Sequence, residues 1–170
     1  MDLTARIKHP LSEMELKNAL LNRTKIITYN QLKNYKSINS LLHPYNNVII
    51  LYEWAPCMGH WVCLSKHKNG DVDFFDPYGY MPDDEREFIP DKFWETNYLS
   101  QLLADYPGRV FYNQYPLQSK DKLVATCGRW VLLRLLKPEL SLDNFIFKMN
   151  QISSHLRDKV ITLITDKFIK

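Results

Sequence analysis

Apolar residues recur with a helical period near the start of the chain, with a strand period through its middle and with a helical period again toward its end. Ser12-Glu13-Met14-Glu15 has the form of a capping box, and Met14, Leu16, Ala19 and Leu20 supply the apolar face of the helix it opens. Residues 24–43 (TKIITYNQLKNYKSINSLLH) read as a short extended piece followed by short helices. Val48–Trp54 (VIILYEW) is a continuous apolar run with β-branched residues, which predicts a buried strand. Residues 55–59 (APCMG) interrupt it. His60–Ser65 and Val72–Phe75 then read as two strands joined around Asn69-Gly70, a strong hairpin signal.

Residues 81–91 (MPDDEREFIPD) are acidic and bounded by proline, the pattern of an exposed loop. Phe93–Tyr106 reads as a helix ended by Pro107-Gly108, and Arg109–Tyr112 as a third core strand. After a connection over 116–126, Cys127–Leu136 is apolar nearly all round, as a buried helix is, and Lys137-Pro138 stops it. Helices are expected over 141–151 and 154–169, capped by Ser141 and by Ser153 or Ser154. Helices, a small sheet, then helices again predict an α+β fold: one domain over residues 1–170, a small mixed central sheet packed by helices.

The composition narrows the function classes. Of 170 residues, 45% are apolar and 24% charged, which excludes a disordered chain. A net charge of +3 is too weak to argue nucleic-acid binding by itself. No apolar run approaches the ~20 residues of a membrane helix, and the first residues lack the apolar stretch of a signal peptide. The three cysteines, Cys57, Cys63 and Cys127, are therefore expected as free thiols in a reducing compartment.

Cys127 stands where a loop enters the buried helix. A helix N-terminus offers partial positive charge and free N–H groups, so it favours the nucleophilic thiolate. Ala125, Thr126 and Gly128 are small enough to let a substrate backbone approach. The plain alternative is a cysteine that serves as a small core residue. His60 and Asp76 bear on the choice if they share a face of the hairpin. A two-residue turn at Asn69-Gly70 would pair 63 with 76 and put Asp76 opposite to His60. A three-residue loop, Lys68-Asn69-Gly70, pairs 62 with 76 and makes Asp76 a same-face diagonal neighbour of His60, roughly 7–8 Å away between backbones. The terminal Gly favours the three-residue loop, whose last residue is left-handed. Asp76 then orients the imidazole and His60 takes the thiol proton. Separately, each residue has an ordinary reading, a satisfied strand histidine and an Asp-Pro turn. Cys57, His60, Cys63 and His67 also have a zinc-like spacing. However, His60 and Cys63 have opposite parity in a strand, so the four ligands cannot converge.

"GHWV" at 59–62, "FFDPYGY" at 74–80, "LQS" at 117–119 and "TCGRW" at 126–130 together resemble the adenovirus-type maturation proteases. These cysteine proteases are related to those of ubiquitin-like modifiers. The segment "IITYNQLKNYKSINSLLHPYNNVIILYE" looks like the branch found in virophages, giant viruses and virus-like transposons. The resemblance implies Cys127 as nucleophile, His60 as general base and acid, and Asp76 as orienting acid. It implies that Gln118 supplies an amide to the oxyanion. Gln118 precedes Cys127 by nine residues, a longer gap than the family pattern leads one to expect, and Gln114 is the alternative. Trp61 and Gly128 are implied to pack or line the substrate groove.

The expectation is therefore a cysteine endopeptidase, without cofactor or metal, that cleaves viral capsid or core precursor proteins after small residues such as Gly. The resemblance raises an activating peptide and weak DNA association as possible partners. It implies a monomer, not membrane-bound, acting in the virion and in the host cytoplasm or virus factory. The alternatives are removal of ubiquitin-like modifiers, an acetyltransferase with the same residue order, and a non-catalytic scaffold or nucleic-acid module.

Overall fold

The structure, a computed structural model, describes residues 1–84 and 97–169. A five-stranded mixed sheet in the order β1-β2-β3-β4-β5 organises the chain. Its centre is a meander of β2 (Asn47–Ala55), β3 (Met58–Lys66) and β4 (Val72–Phe75), all antiparallel. β2 has no polar-out face because both of its faces are covered. Ile49 and Leu51 join Trp61, Cys63 and Phe75 in one apolar cluster, while Val48, Ile50 and Tyr52 join Val62, Leu64, Val72 and Phe74 in another. β1 (Lys25–Thr28) adds parallel to β2, and β5 (Val110–Tyr112) parallel to β4. β5 is thus an edge strand, not the core strand that 109–112 suggests. Among the described residues it pairs on one side only, and Phe111 is 39% exposed.

The β3–β4 register pairs Cys63 with Phe75 and Lys66 with Val72. His67 N–H then donates to Asp71 O at 2.8 Å, and Gly70, at φ +90°, closes a three-residue loop over 68–70. The β2–β3 connection is tighter than the 55–59 interruption implies. Ala55 pairs with Met58, so only Pro56 and Cys57 turn, with Cys57 at φ +60°. A register shift between Glu53 and Ala55 brings the strands so close that a Cβ on Gly59 would lie 2.1 Å from Tyr52 O. Only glycine fits there.

α1 (Leu3–Lys8) precedes α2 (Glu13–Ala19), whose capping box is formed by Ser12 and Glu15. Leu16 and Ala19 are buried, but Met14 is 72% exposed. It stands two residues before Leu16, about 200° around the helix, so it cannot share that face. On one side of the sheet α5 (Cys127–Leu135), α6 (Leu142–Asn150) and α7 (Arg157–Asp166) build the first cluster. Trp130, Val131 and Leu132 of α5 are fully buried, each contributing roughly 1.5–3 kcal/mol. On the other side lie α3 (Ile38–Leu42) and α4 (Tyr98–Ala104). Ser141 caps α6 as expected. α7 is shorter than 154–169: a 3-10 turn over Ser154–Leu156 precedes it, and Ser153 makes no side-chain cap bond. Residues 85–91 of the expected acidic loop and 93–96 of the expected helix lie outside the described residues. Among the described residues no helix is long and apolar enough to cross a membrane.

Candidate active site

The start of β3, the end of β4 and the N-terminus of α5 meet at one end of the sheet. His60 is near the start of β3, opposite Tyr52, and Asp76 follows the last residue of β4. The three-residue loop sets them on one diagonal, and His60 Nε2 lies 2.9 Å from Asp76 Oδ1. The side chains are 3% and 0% exposed. Asp76 is fixed at the backbone by Asn113, whose Oδ1 accepts from Asp76 N–H at 2.9 Å and whose Nδ2 donates to Asp76 O at 2.6 Å. Tyr78 N–H donates to Asp76 Oδ1 at 2.7 Å, an Asx turn, while buried Oδ2 has no hydrogen-bond partner. The carboxylate is thereby aimed at the imidazole before any substrate arrives.

Cys127 is the first residue of α5 and is 6% exposed. It lines a cavity of about 560 Å3 together with His60, Tyr78 and Gln118. The Gln118 and Leu117 N–H groups both donate to Pro77 O, at 3.0 and 2.9 Å, which draws this loop beneath the Asp76-Pro77 turn. The Gln118 side chain is consequently buried. Its Nε2 makes two long contacts of 3.4 Å, to Tyr78 Oη and Val124 O, and its Oε1 has no partner. Gln114 is exposed and makes its side-chain contact with Met81 Sδ, at 3.9 Å, away from the cavity. Of the two glutamines, Gln118 is the one that lines the cavity with Cys127.

Trp61 is among the residues that line this cavity, and Gly128 is buried against it. Trp61 is 5% exposed and donates from Nε1 to Leu11 O at 3.0 Å. A Cβ on Gly128 would lie 3.0 Å from Leu11 Cβ and 3.2 Å from Trp61 Cδ1. The small residue makes room for these two side chains. Ala125 lines the cavity, whereas Thr126 is fully buried.

The comparisons with known proteins bear on origin. No protein-family model matches the chain. Uncharacterized protein V9 of Sputnik virophage is 34% identical over 166 residues, spanning 93% of this chain and 95% of that protein. The chain belongs to this virophage protein family. The relationship supports a viral origin. The central domain of an uncharacterized Legionella pneumophila protein, Lpg1148, is similar in structure, with a TM-score of 0.47 and 13% identity over 93% of this chain and 94% of that one.

Several residues of this virophage-family site are not legible in its motifs. Tyr78 stacks on the His60 ring, with centroids 4.5 Å apart and planes 11° from parallel. A face-on aromatic ring restrains the orientation of the imidazole. Lys8, Pro10 and Leu11 form one wall of the cavity, tied down where Ala125 N–H donates to Ile7 O at 2.9 Å. Tyr78 follows directly from the Asp-Pro turn, but nothing local signals that the first residues of the chain reach Ala125. The zinc-like set is dispersed. Cys57 is exposed at a turn, His67 bonds Asp73, and Cys63 is buried in the core. Burial pushes the Cys63 thiol up to about 12, against the pull of Arg134 and with the help of Asp73 and Asp76. Among the described residues no cluster is suited to hold a metal ion.

Proposed function

We propose that the chain is a cysteine endopeptidase that matures viral particles. The carrying observation is the buried His60–Asp76 pair, 2.9 Å apart, beside Cys127 and Gln118 in one cavity. Asp76 accepts from Nε2–H of His60 and so fixes the tautomer whose Nδ1 takes the Cys127 proton. The thiolate attacks the scissile carbonyl carbon. The resulting oxyanion is bound by the Gln118 amide and by the backbone N–H at the start of α5. His60 returns the proton to the leaving amine, a thioester remains, and water activated by His60 releases the acid. Cleavage after Gly fits a cavity walled by Trp54, Met58 and Tyr80, because a larger side chain beside the scissile bond would meet these bulky side chains.

The substrates are capsid or core precursors. Mass spectrometry of virophage structural proteins incubated with the wild-type chain is expected to show new termini following Gly, and none with Cys127→Ala. Identical products from both chains would sink the reading. Cleavage confined to modifier fusions would redirect it to ubiquitin-like substrates. One observation favours a second reading, acetyl transfer. Lys8, Lys120 and Lys122 line the same cavity and offer cations to a cofactor phosphate. Labelled acetyl passing from acetyl-CoA to Ser, Thr or Lys is its test.

A further inference from the structure

Asp158, in the first turn of α7, is 7% exposed and takes part in no ion pair with Lys, Arg or His among the described residues. A buried carboxylate without a cation is costly unless well-placed donors surround it. Three neutral donors do so here. Ser119 N–H donates to Oδ2 at 2.9 Å, Trp130 Nε1 to Oδ1 at 3.0 Å, and the Thr126 hydroxyl also to Oδ1. Ser119 follows Gln118 and Thr126 precedes Cys127, so one side chain grips the connecting loop at both of its chemically important ends.

The Thr126 bond has a second effect. Thr126 is the cap residue of α5, and a threonine there ordinarily accepts from the first-turn N–H groups. Its hydroxyl is turned to Asp158, and it makes no side-chain cap bond. The N–H groups at the helix start are thus not consumed by their own cap.

We infer that Asp158 is a positioning residue that sets the spacing between the Gln118 amide and Cys127 and keeps the α5 N-terminus available to an oxyanion. This rests on the peptidase reading. Asp158→Asn keeps an oxygen for Thr126 and Trp130 but turns an NH2 toward the Ser119 N–H, donor against donor, so it loosens the Gln118 side selectively. Thr126→Val removes the other anchor, and Thr126→Ser preserves it.

Two probes separate position from folding. Iodoacetamide, followed by peptide mapping, reports the Cys127 thiol alone. A peptide aldehyde ending in glycinal reports the thiol together with its oxyanion donors. Asp158→Asn and Thr126→Val are expected to weaken aldehyde binding by about tenfold or more, while Cys127 alkylation stays within about threefold and Thr126→Ser behaves as wild type. Unchanged aldehyde binding in both variants overturns the assignment. So does a parallel loss of both probes in Thr126→Val, which marks a merely structural role. Should Asp158→Asn fail to fold, Thr126→Val alone decides. A wild-type chain that alkylates at Cys127 yet takes up no aldehyde overturns the peptidase reading itself, and the role of Asp158 with it.

Discussion

The β3–β4 hairpin carries a His–Asp pair toward each end, and helix α5 runs between them. At one end His60, bonded to Asp76, lines one cavity with the first residue of α5, Cys127. At the other, His67 bonds Asp73, and Asp73 accepts from Arg134, in the last turn of α5, at 2.8 Å. Arg134 is 1% exposed and also donates to Lys137 O and Leu140 O. A cavity of about 810 Å3 opens beside this second pair, larger than the first, and no cysteine lines it among the described residues. The lesson lies in charge balance. A buried guanidinium already neutralises Asp73, which has little left with which to stabilise an imidazolium. Among the described residues Asp76 bonds only His60 and neutral groups, so its charge acts on that ring. A His–Asp distance marks a site only when the carboxylate is not already committed.

The sharpest way to break this comparison is to remove each histidine. His60→Ala is expected to lower turnover of a structural precursor by about 10³-fold or more, and His67→Ala by no more than about twofold. Equal losses would erase the distinction. Next in size is the carboxylate at the structural end. Asp73→Ala strands the Arg134 charge in the core and is expected to cost roughly 3–5 kcal/mol in urea unfolding. Asp76→Ala leaves only a histidine that can become neutral, so it should cost clearly less; a greater cost at Asp76 would reverse the assignment. The smallest effect concerns Cys63, between the two pairs. Its folded thiol keeps its proton up to about 12, whereas the unfolded thiol loses it near the ordinary value of 9.0. Above that ordinary value the unfolded chain binds fewer protons, so stability falls as pH rises. Relative to Cys63→Val, the wild type should lose about 1 kcal/mol per pH unit there. A constant difference from pH 8 to 10 would contradict it.

Features written in local chemistry were legible beforehand. Asn69-Gly70 defined the loop, the loop defined the register, and the register put Asp76 on the diagonal of His60. The apolar run after Cys127 gave α5, and Ser12 with Glu15 gave the cap of α2. What escaped depends on partners far along the chain. Asp158 looks like any acidic residue in a helix's first turn until Ser119 and Thr126 fold against it. Leu11 gives no hint that its carbonyl will meet Trp61. Arg109–Tyr112 has strand composition, but composition does not distinguish an edge from a centre. Nothing in the nine residues between Gln118 and Cys127 signals that the Pro77 carbonyl will accept from both Leu117 and Gln118.

The grip of α7 on the loop ahead of α5 limits how the site can be borrowed. A designer who grafted the β3–β4 hairpin onto a foreign scaffold would carry over the imidazole and its carboxylate, both local to that hairpin. The sulfur, the amide and the side chain that gauges the gap between them would stay behind, on segments that Asp158 ties together. The smallest portable unit is therefore nearly the whole molecule, and a search for remote equivalents does better to match this four-segment arrangement than any one stretch of sequence.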